Sequence, residues 1–259
     1  MQAASIDCCV LANNHVLDLG HAGLLETLST LEHLRIESAG AGRDVVEARA
    51  PAVIDLKDKG RVILFAVACV TSGTPKLWAA THDVAGVNVL TELSGAAVAD
   101  IAGQVAKLKR PGDIVVVSIH WGPNWGYEID PAEQRFARAL IDMAGVSIVH
   151  GHSSHHAKAI EVYKKRLVLY GCGDFLNDYE GIRGYEEFRD DLVLMYLADI
   201  DPANGDLAGL EMVPLQIRRF QLVRSSTGDV EWMRQTLDRE CQRFGGHVEL
   251  NPARRLVLT

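Results

Sequence analysis

The sequence predicts an α/β fold, and three stretches predict it. Ile114-Val115-Val116-Val117-Ser118-Ile119 is an apolar, β-branched run of strand length that stops at His120-Trp121-Gly122. Asp130-Pro131-Ala132-Glu133 then opens a helix, with Asp130 as N-cap, Pro131 at the first helical position and Glu133 completing a capping box. Phe136, Leu140 and Met143 give that helix an apolar stripe, Gly145 ends it, and Val146-Ser147-Ile148-Val149 delivers Gly151-His152-Ser153-Ser154-His155-His156. Strand, histidine, helix, strand, histidines is a β-α-β unit with imidazoles at two strand ends, the edge where α/β folds bind ligands. Arg61 to Cys69 (RVILFAVAC) adds a strand whose unbroken apolar character fits a sheet covered on both faces.

The remaining elements follow in chain order. Ile6 to Ala12 reads as a strand running straight into Asn13-Asn14-His15, and Leu24, Leu28 and Leu31 recur at helical spacing. Residues 71–92, broken by Gly73, Pro75 and Gly86, read as a loop region. Ser94 caps a helix carrying Val98, Ile101, Val105 and Leu108 until Pro111-Gly112 stops it. After the β-α-β unit, Ala159–Tyr163 and Arg166–Tyr170 form a hairpin about Lys164-Lys165. Gly171-Cys172-Gly173-Asp174-Phe175 is a glycine-spaced turn, and 176–191 is an acidic surface loop. Leu192–Ile200 and Gly209–Ile217 are strands around the Asp201–Asp206 turn. Glu231–Phe244 is a helix with Met233, Leu237, Cys241 and Phe244 on one face. No repeat, low-complexity tract or linker interrupts the 259 residues, so a single domain over 1–259 is expected.

Hydrophobic residues make up 48% and charged residues 23%, the balance of a soluble globular protein. A formal charge of −8 argues against nucleic acid or an anionic membrane as partner, although a bound cation would still admit a phosphorylated substrate. No apolar run reaches the ~18–20 residues of a membrane span. The start has neither a basic n-region nor an h-region, so a cytoplasmic protein without a signal peptide is expected. Five cysteines with no C-x-x-C pair point to free thiols in a reducing compartment.

Half of the ten histidines fall at three places just beyond a strand: His15, His120 and the His152/His155/His156 group. One strand-end histidine is more often structural than not, but three in one α/β chain favour a metal or catalytic centre. Asn14 is either an amide ligand or, with Asn13, part of a turn. Gly171–Asp174 either brings backbone close to a ligand or makes a tight turn. Trp121, Trp125 and Tyr127 either line a pocket or cover core. No G-x-S-x-G elbow, P-loop or dinucleotide fingerprint occurs.

The motifs Leu11-Ala12-Asn13-Asn14-His15, Ser118-Ile119-His120-Trp121-Gly122, Gly151-His152-Ser153-Ser154-His155, Glu161-Val162-Tyr163 and Tyr170-Gly171-Cys172-Gly173-Asp174-Phe175 stand in a telling order. Over residues 6 to 200 it resembles that of CapA-type poly-γ-glutamate capsule biosynthesis proteins, which are similar to calcineurin-like metallophosphoesterases. The resemblance implies a β-sandwich flanked by helices. It further implies that His15 is the catalytic histidine and that Asn14, His120, His152 and His155 bind metal, a divalent transition metal such as Mn, Fe or Zn. The family's His-His-Pro-His is here His152-Ser153-Ser154-His155, which leaves His155 and His156 as alternatives.

The family pattern carries a glycine-aspartate strand and an Asn-x-Glu motif ahead of the Asn-Asn-His segment, and this chain begins within that segment. The fold is therefore expected to lack its first strand region, with a sheet edge or apolar groove left uncovered. Without those carboxylates, weak binding of one ion is expected in place of a two-metal site. The implied activity is phosphoester hydrolysis with metal stabilisation of charge and His15 protonating the leaving group. The alternatives are a non-catalytic factor that binds or hands over an anionic capsule polymer and, more distantly, a metal-dependent amide hydrolase. Expected partners are thus an anionic polymer or a phosphoester substrate.

Overall fold

The computed structural model describes residues 2–57, 59–177 and 182–259. Asp178 and Glu180 of the acidic loop lie outside the described residues. The fold is mixed α/β. Its first part contains β1 (Cys8–Val10), α1 (Gly20–Leu34), β2 (Glu37–Ala39), β3 (Ala41–Gly42), α2 (Val45–Arg49), β4 (Ala52–Asp55) and β5 (Arg61–Cys69). The middle contains β6 (Gly86–Val87), β7 (Val89–Leu90), α3 (Gly95–Leu108), β8 (Ile114–His120), α4 (Pro131–Ala144), β9 (Ile148–His152), β10 (Ile160–Tyr163) and β11 (Arg166–Leu169). The last part contains β12 (Leu192–Ile200), β13 (Leu207–Arg218), β14 (Gln221–Arg224), α5 (Thr227–Gln242), β15 (Val248–Leu250) and β16 (Leu256–Leu258).

A seven-stranded sheet runs β10-β11-β9-β8-β5-β4, with β7 also on β5, and a five-stranded sheet runs β12-β13-β16-β15, with β14 on β13. In the larger sheet β5, β8, β9 and β11 are parallel, and the edge strands β4 and β10 are antiparallel. Side chains alternate across the pleat, which decides everything about the site. Odd-numbered Val115, Val117 and Ile119 of β8 join Ile63, Phe65 and Val67 of β5 against α3 and α4. The even-numbered positions face the other way, where two covers share the sheet. Ala66 and Ala68 pack under α1 with Leu24, Leu28 and Leu31, whereas Leu167 and Leu169 pack with Leu194, Leu210 and Met212 of the second sheet and with Met233 and Leu237 of α5.

Between these covers a trough of about 600 Å³ opens onto the sheet. Its floor is Leu64, Val116, Ile148 and Leu167, which stand in one register row across β5, β8, β9 and β11.

The helix caps follow the sequence. Asp130 accepts from the Ala132 N–H, Pro131 opens α4, and Gly145 closes it in the left-handed region. The stripe is different, for Met143 is exposed, and the buried face of α4 is Phe136, Ala137, Leu140, Ile141 and Ala144. At 100° per residue Met143 lies about 90° from the centre of the face formed by Phe136, Ala137, Leu140, Ile141 and Ala144, and the flexible thioether tolerates water there. The last helix starts four residues earlier than Glu231, at Thr227, because Ser226 caps it by accepting from the Asp229 N–H. The region 71–92 is not wholly loop, since β6 pairs with β3 and β7 extends β5. No helix of the described residues is long and apolar enough to cross a membrane.

Candidate metal centre

Two strand ends and one turn build the site. In register, His120 of β8 lies beside His152 of β9, and one row inward Ser118 lies beside His150. All four side chains carry even numbers and face away from the α3/α4 core, so strand pairing alone makes them neighbours. The turns beyond are stitched together. The Trp121 N–H donates to His152 O at 3.0 Å, Ser153 Oγ donates to Gly122 O at 3.1 Å, and Ser72 Oγ donates to His120 O at 3.0 Å. Ser153 takes φ 129°, a conformation that L side chains seldom adopt and that clusters at functional sites.

A cavity of about 580 Å³ gathers Asn14, His15, His120, His152 and His155, together with Asp18 and Asp174. The five residues that the family resemblance marks, Asn14, His15, His120, His152 and His155, all line it. His156, the alternative to His155, does not. It is 2% exposed and sits against Tyr127 and Phe188, with ring centroids 4.7 Å away in each case.

The hydrogen bonds fix the ring states. His120 Nε2–H donates to Asn14 Oδ1 at 3.0 Å, which leaves Nδ1 of a neutral ring as acceptor. His152 Nδ1–H then donates to His120 Nδ1 across 3.0 Å, and His152 Nε2 retains a lone pair. That atom is buried and has no hydrogen-bond partner among the described residues. Burial, and then the neighbouring His15 and His155, push the His120 pKa down to about 4. Burial, and then His150 and His120, hold His152 well below the ordinary imidazole value. Two neutral imidazoles thus meet at the cavity wall, the protonation state in which histidine ligates a metal.

Two histidine–carboxylate pairs flank them. His15 Nδ1 lies 2.7 Å from Asp18 Oδ2, and the pair is open to solvent. His155 Nδ1–H donates to Asp174 at 3.0 Å, which raises the His155 pKa against the opposing effect of burial. Trp125 leans on His155 with ring centroids 5.2 Å apart.

Asp18 and Asp174 also line the cavity, and His150 stands one register row behind it; from the sequence Asp174 was noted only within the Gly171–Asp174 turn, and Asp18 and His150 were not singled out. Asp18 follows His15 by three residues and Asp174 ends a glycine-spaced turn, faint signals both. Conversely, Glu161 of the Glu-x-Tyr motif is no part of the cavity. It is 5% exposed and accepts from Arg138 and from the Tyr170 hydroxyl at 2.6 Å, a structural clamp. Trp121 likewise covers core, being 2% exposed and donating to Tyr170 O.

Whether these residues suit a metal can be judged from the donors themselves. Two imidazole nitrogens bound to one ion at ~2.0–2.1 Å stand roughly 2.9–3.4 Å apart. The His120 Nδ1 to His152 Nδ1 separation of 3.0 Å falls within that range, and an ion there would require the His152 proton to move from Nδ1 to Nε2. Among the described residues, no three His, Cys, Asp or Glu side chains stand as a preformed ligand set. His120 and His152 thus offer two imidazole donors at a spacing that one ion could bridge.

Comparison with known proteins gives the context. The sequence pattern of a family described as bacterial capsule synthesis protein PGA_cap matches residues 1–179. A probable polyglutamine synthesis accessory protein of Mycobacterium tuberculosis is 49% identical over 245 residues, which cover 94% of this chain and 64% of that protein. The capsule biosynthesis protein CapA of Bacillus anthracis is 30% identical over 216 residues, covering 80% of this chain and 47% of its own length. The PGA biosynthesis protein CapA of Bacillus subtilis is 29% identical over 185 residues, covering 71% and 45%. The chain thus spans less than two thirds of the length of each of these relatives.

Proposed function

Because the chain belongs to the PGA_cap family of bacterial capsule synthesis proteins, we propose that its histidine cavity is a metal-dependent, phosphoesterase-like hydrolytic centre acting on an anionic substrate in capsule polymer synthesis. The chain is read as one metallophosphoesterase-type domain, and the reading rests on one observation above the rest: Asn14, His15, His120, His152 and His155 line a single cavity in which His120 and His152 touch.

His120 and His152 would hold a single Mn, Fe or Zn ion, a choice favoured by neutral imidazole donors. When bound, the ion supplies positive charge to polarise a phosphoryl or carbonyl oxygen. Asn14, by accepting from Nε2–H, fixes the His120 tautomer and leaves Nδ1 available, or turns to offer its amide oxygen directly. His15, an exposed side chain lining the cavity with its Nδ1 paired to Asp18, would give its proton to a leaving group. His155, held protonated more readily by Asp174, would attract an anionic oxygen from the opposite wall.

A second reading has its own support. The M. tuberculosis relative is named an accessory protein, and among the described residues no three His, Cys, Asp or Glu side chains stand as a preformed ligand set. On that view the same cavity binds or hands over a polyanion without cleaving it.

Metal titration of the purified chain, followed by turnover of a generic phosphodiester, separates the two. A single ion is expected, with Asn14→Ala weakening it about tenfold and His120→Ala or His152→Ala weakening it more. Because His120 is held near 4, proton competition should weaken binding only as pH approaches that value, well below the ordinary 6.5. Metal affinity unchanged in both histidine variants sinks the site. Metal binding without turnover, alongside binding of poly-γ-glutamate, favours the second reading.

A further inference from the structure

A second charged feature lies away from the histidines. On a chain of formal charge −8, Arg224, Arg254 and Arg255 line one groove of about 350 Å³. They come from the end of β14 and from the β15–β16 turn, which the five-stranded sheet brings together although thirty residues separate them in sequence. Arg255 is engaged with Glu211 at 2.6 Å, and Arg254 donates only to Thr227 Oγ1, at 3.2 Å. Among the described residues neither Arg224 nor Arg254 has a carboxylate partner, so the groove keeps a local positive excess.

Two further observations point to a ligand. Ser225 lines the groove at 6% exposure, and its hydroxyl has no hydrogen-bond partner among the described residues. A buried hydroxyl left unmade is costly unless something supplies the bond. The groove also borders the first turn of α5, where Thr227 and Gly228 begin the helix, a setting that favours an anion. The Asp229 carboxylate at that turn is already taken by Arg189 and Ser226. Val213, Pro214 and Val230 form an apolar wall.

We propose that this groove is a carboxylate-binding subsite that anchors a glutamate polymer outside the histidine cavity. Guanidinium forks match carboxylates in geometry, and the apolar wall suits the two methylenes of each γ-linked glutamate unit. Inorganic phosphate or nucleic acid offers the charge but not the methylenes. Met195 lines both this groove and the trough, and the trough shares Asn13, His152, Gly173 and Asp174 with the histidine cavity. The identity of the polymer rests on the family reading above, whereas the subsite does not depend on hydrolysis.

The experiment measures binding of fluorescently labelled poly-γ-glutamate oligomers to the full chain, at low and moderate salt. Arg224→Glu/Arg254→Glu should raise Kd by about tenfold or more and flatten its salt dependence, with metal binding at the histidines unchanged. Arg224→Gln/Arg254→Gln, a milder pair at exposed positions, should act in the same direction and serves if the charge reversal perturbs folding. His120→Ala should leave oligomer binding intact while weakening metal binding, so metal binding retained in that variant tells against the proposed function alone and leaves the subsite standing. Unchanged oligomer affinity in both arginine pairs overturns the subsite. Equal affinity for a single-stranded oligonucleotide, lost in the same variants, overturns its assignment to carboxylates.

Discussion

As the pH falls from 6.5 towards about 4, the metal-free fold is expected to lose roughly 5 kcal/mol of stability, a large share of the ~5–15 kcal/mol that holds a domain together. Burial is the first cause at each group concerned, and it pushes His120, His150 and His156 from 6.5 down to about 4. A histidine with a depressed folded pKa binds fewer protons folded than unfolded. Its contribution is present above the unfolded value of 6.5 and is lost as pH drops through the folded value. Each such group then withdraws about 3 kcal/mol. Glu133 opposes the trend. Buried beneath Gly122, its carboxyl is pushed up to about 7, a penalty that relaxes below that pH and offsets about one histidine. His152 adds to the loss in the same direction. Asp113, lowered chiefly by its hydrogen bond to Arg61, extends it below 3.8.

His156 gives the sharpest test because it is the most enclosed of the three and lies off the metal cavity. Its Nε2 is buried without a partner among the described residues, and Tyr127 and Phe188 surround its ring. His156→Phe should keep near-wild-type stability at neutral pH and lose about 3 kcal/mol less on acidification. Urea unfolding at a series of pH values, with chelator present, reads both quantities. A stability that stays level between pH 7 and 4.5 would falsify the neutral buried histidines.

Gly151→Ala should destabilise the fold by about 2–4 kcal/mol and disturb the His120–His152 contact with it. Gly151 lies in β9 between His150 and His152 and faces the α3/α4 side of the sheet. A Cβ there would come within 2.5 Å of Trp121 Nε1 and 2.6 Å of the carbonyl oxygens of Leu169 and Tyr170. Two of those atoms are backbone of the neighbouring strand region, and the third makes the Trp121–Tyr170 hydrogen bond. Relief requires β9 to move, which carries His152 away from His120. Gly103→Ala is the matched control. Gly103 is exposed in α3 with nothing within 4 Å of its added methyl, and the same change there should stabilise by about 0.5–1 kcal/mol. Equal effects of the two substitutions would show that β9 has room to adapt and that Gly151 is not needed for a close approach.

Local signals carried well where they were dense. Asp130, Pro131 and Gly145 mark both ends of α4 in sequence because capping involves only backbone within one turn, and the structure keeps those ends. The strand Arg61–Cys69 was likewise readable residue for residue, since eight apolar positions in a row after Arg61 leave few other fates. Short strands such as Glu37–Ala39 and Val248–Leu250 were not, for three residues carry too little period to be told from loop. Met143 shows a finer limit. Spacing marks an apolar stripe, but which of two adjacent positions faces the core depends on the surface that α4 meets.

By itself the sequence determined that histidines would stand at the ends of strands in an α/β fold, because apolar runs and the polar residues that stop them are neighbours in the chain. Only the tertiary structure decided which of those side chains meet. The β8/β9 register puts His120 against His152, the turn after β11 supplies Asp174 to His155, and Arg224 reaches Arg254 through the edge of a second sheet. Each meeting joins residues far apart along the chain, so it is fixed by how whole faces bury their apolar area and not by the identity of the residues nearby.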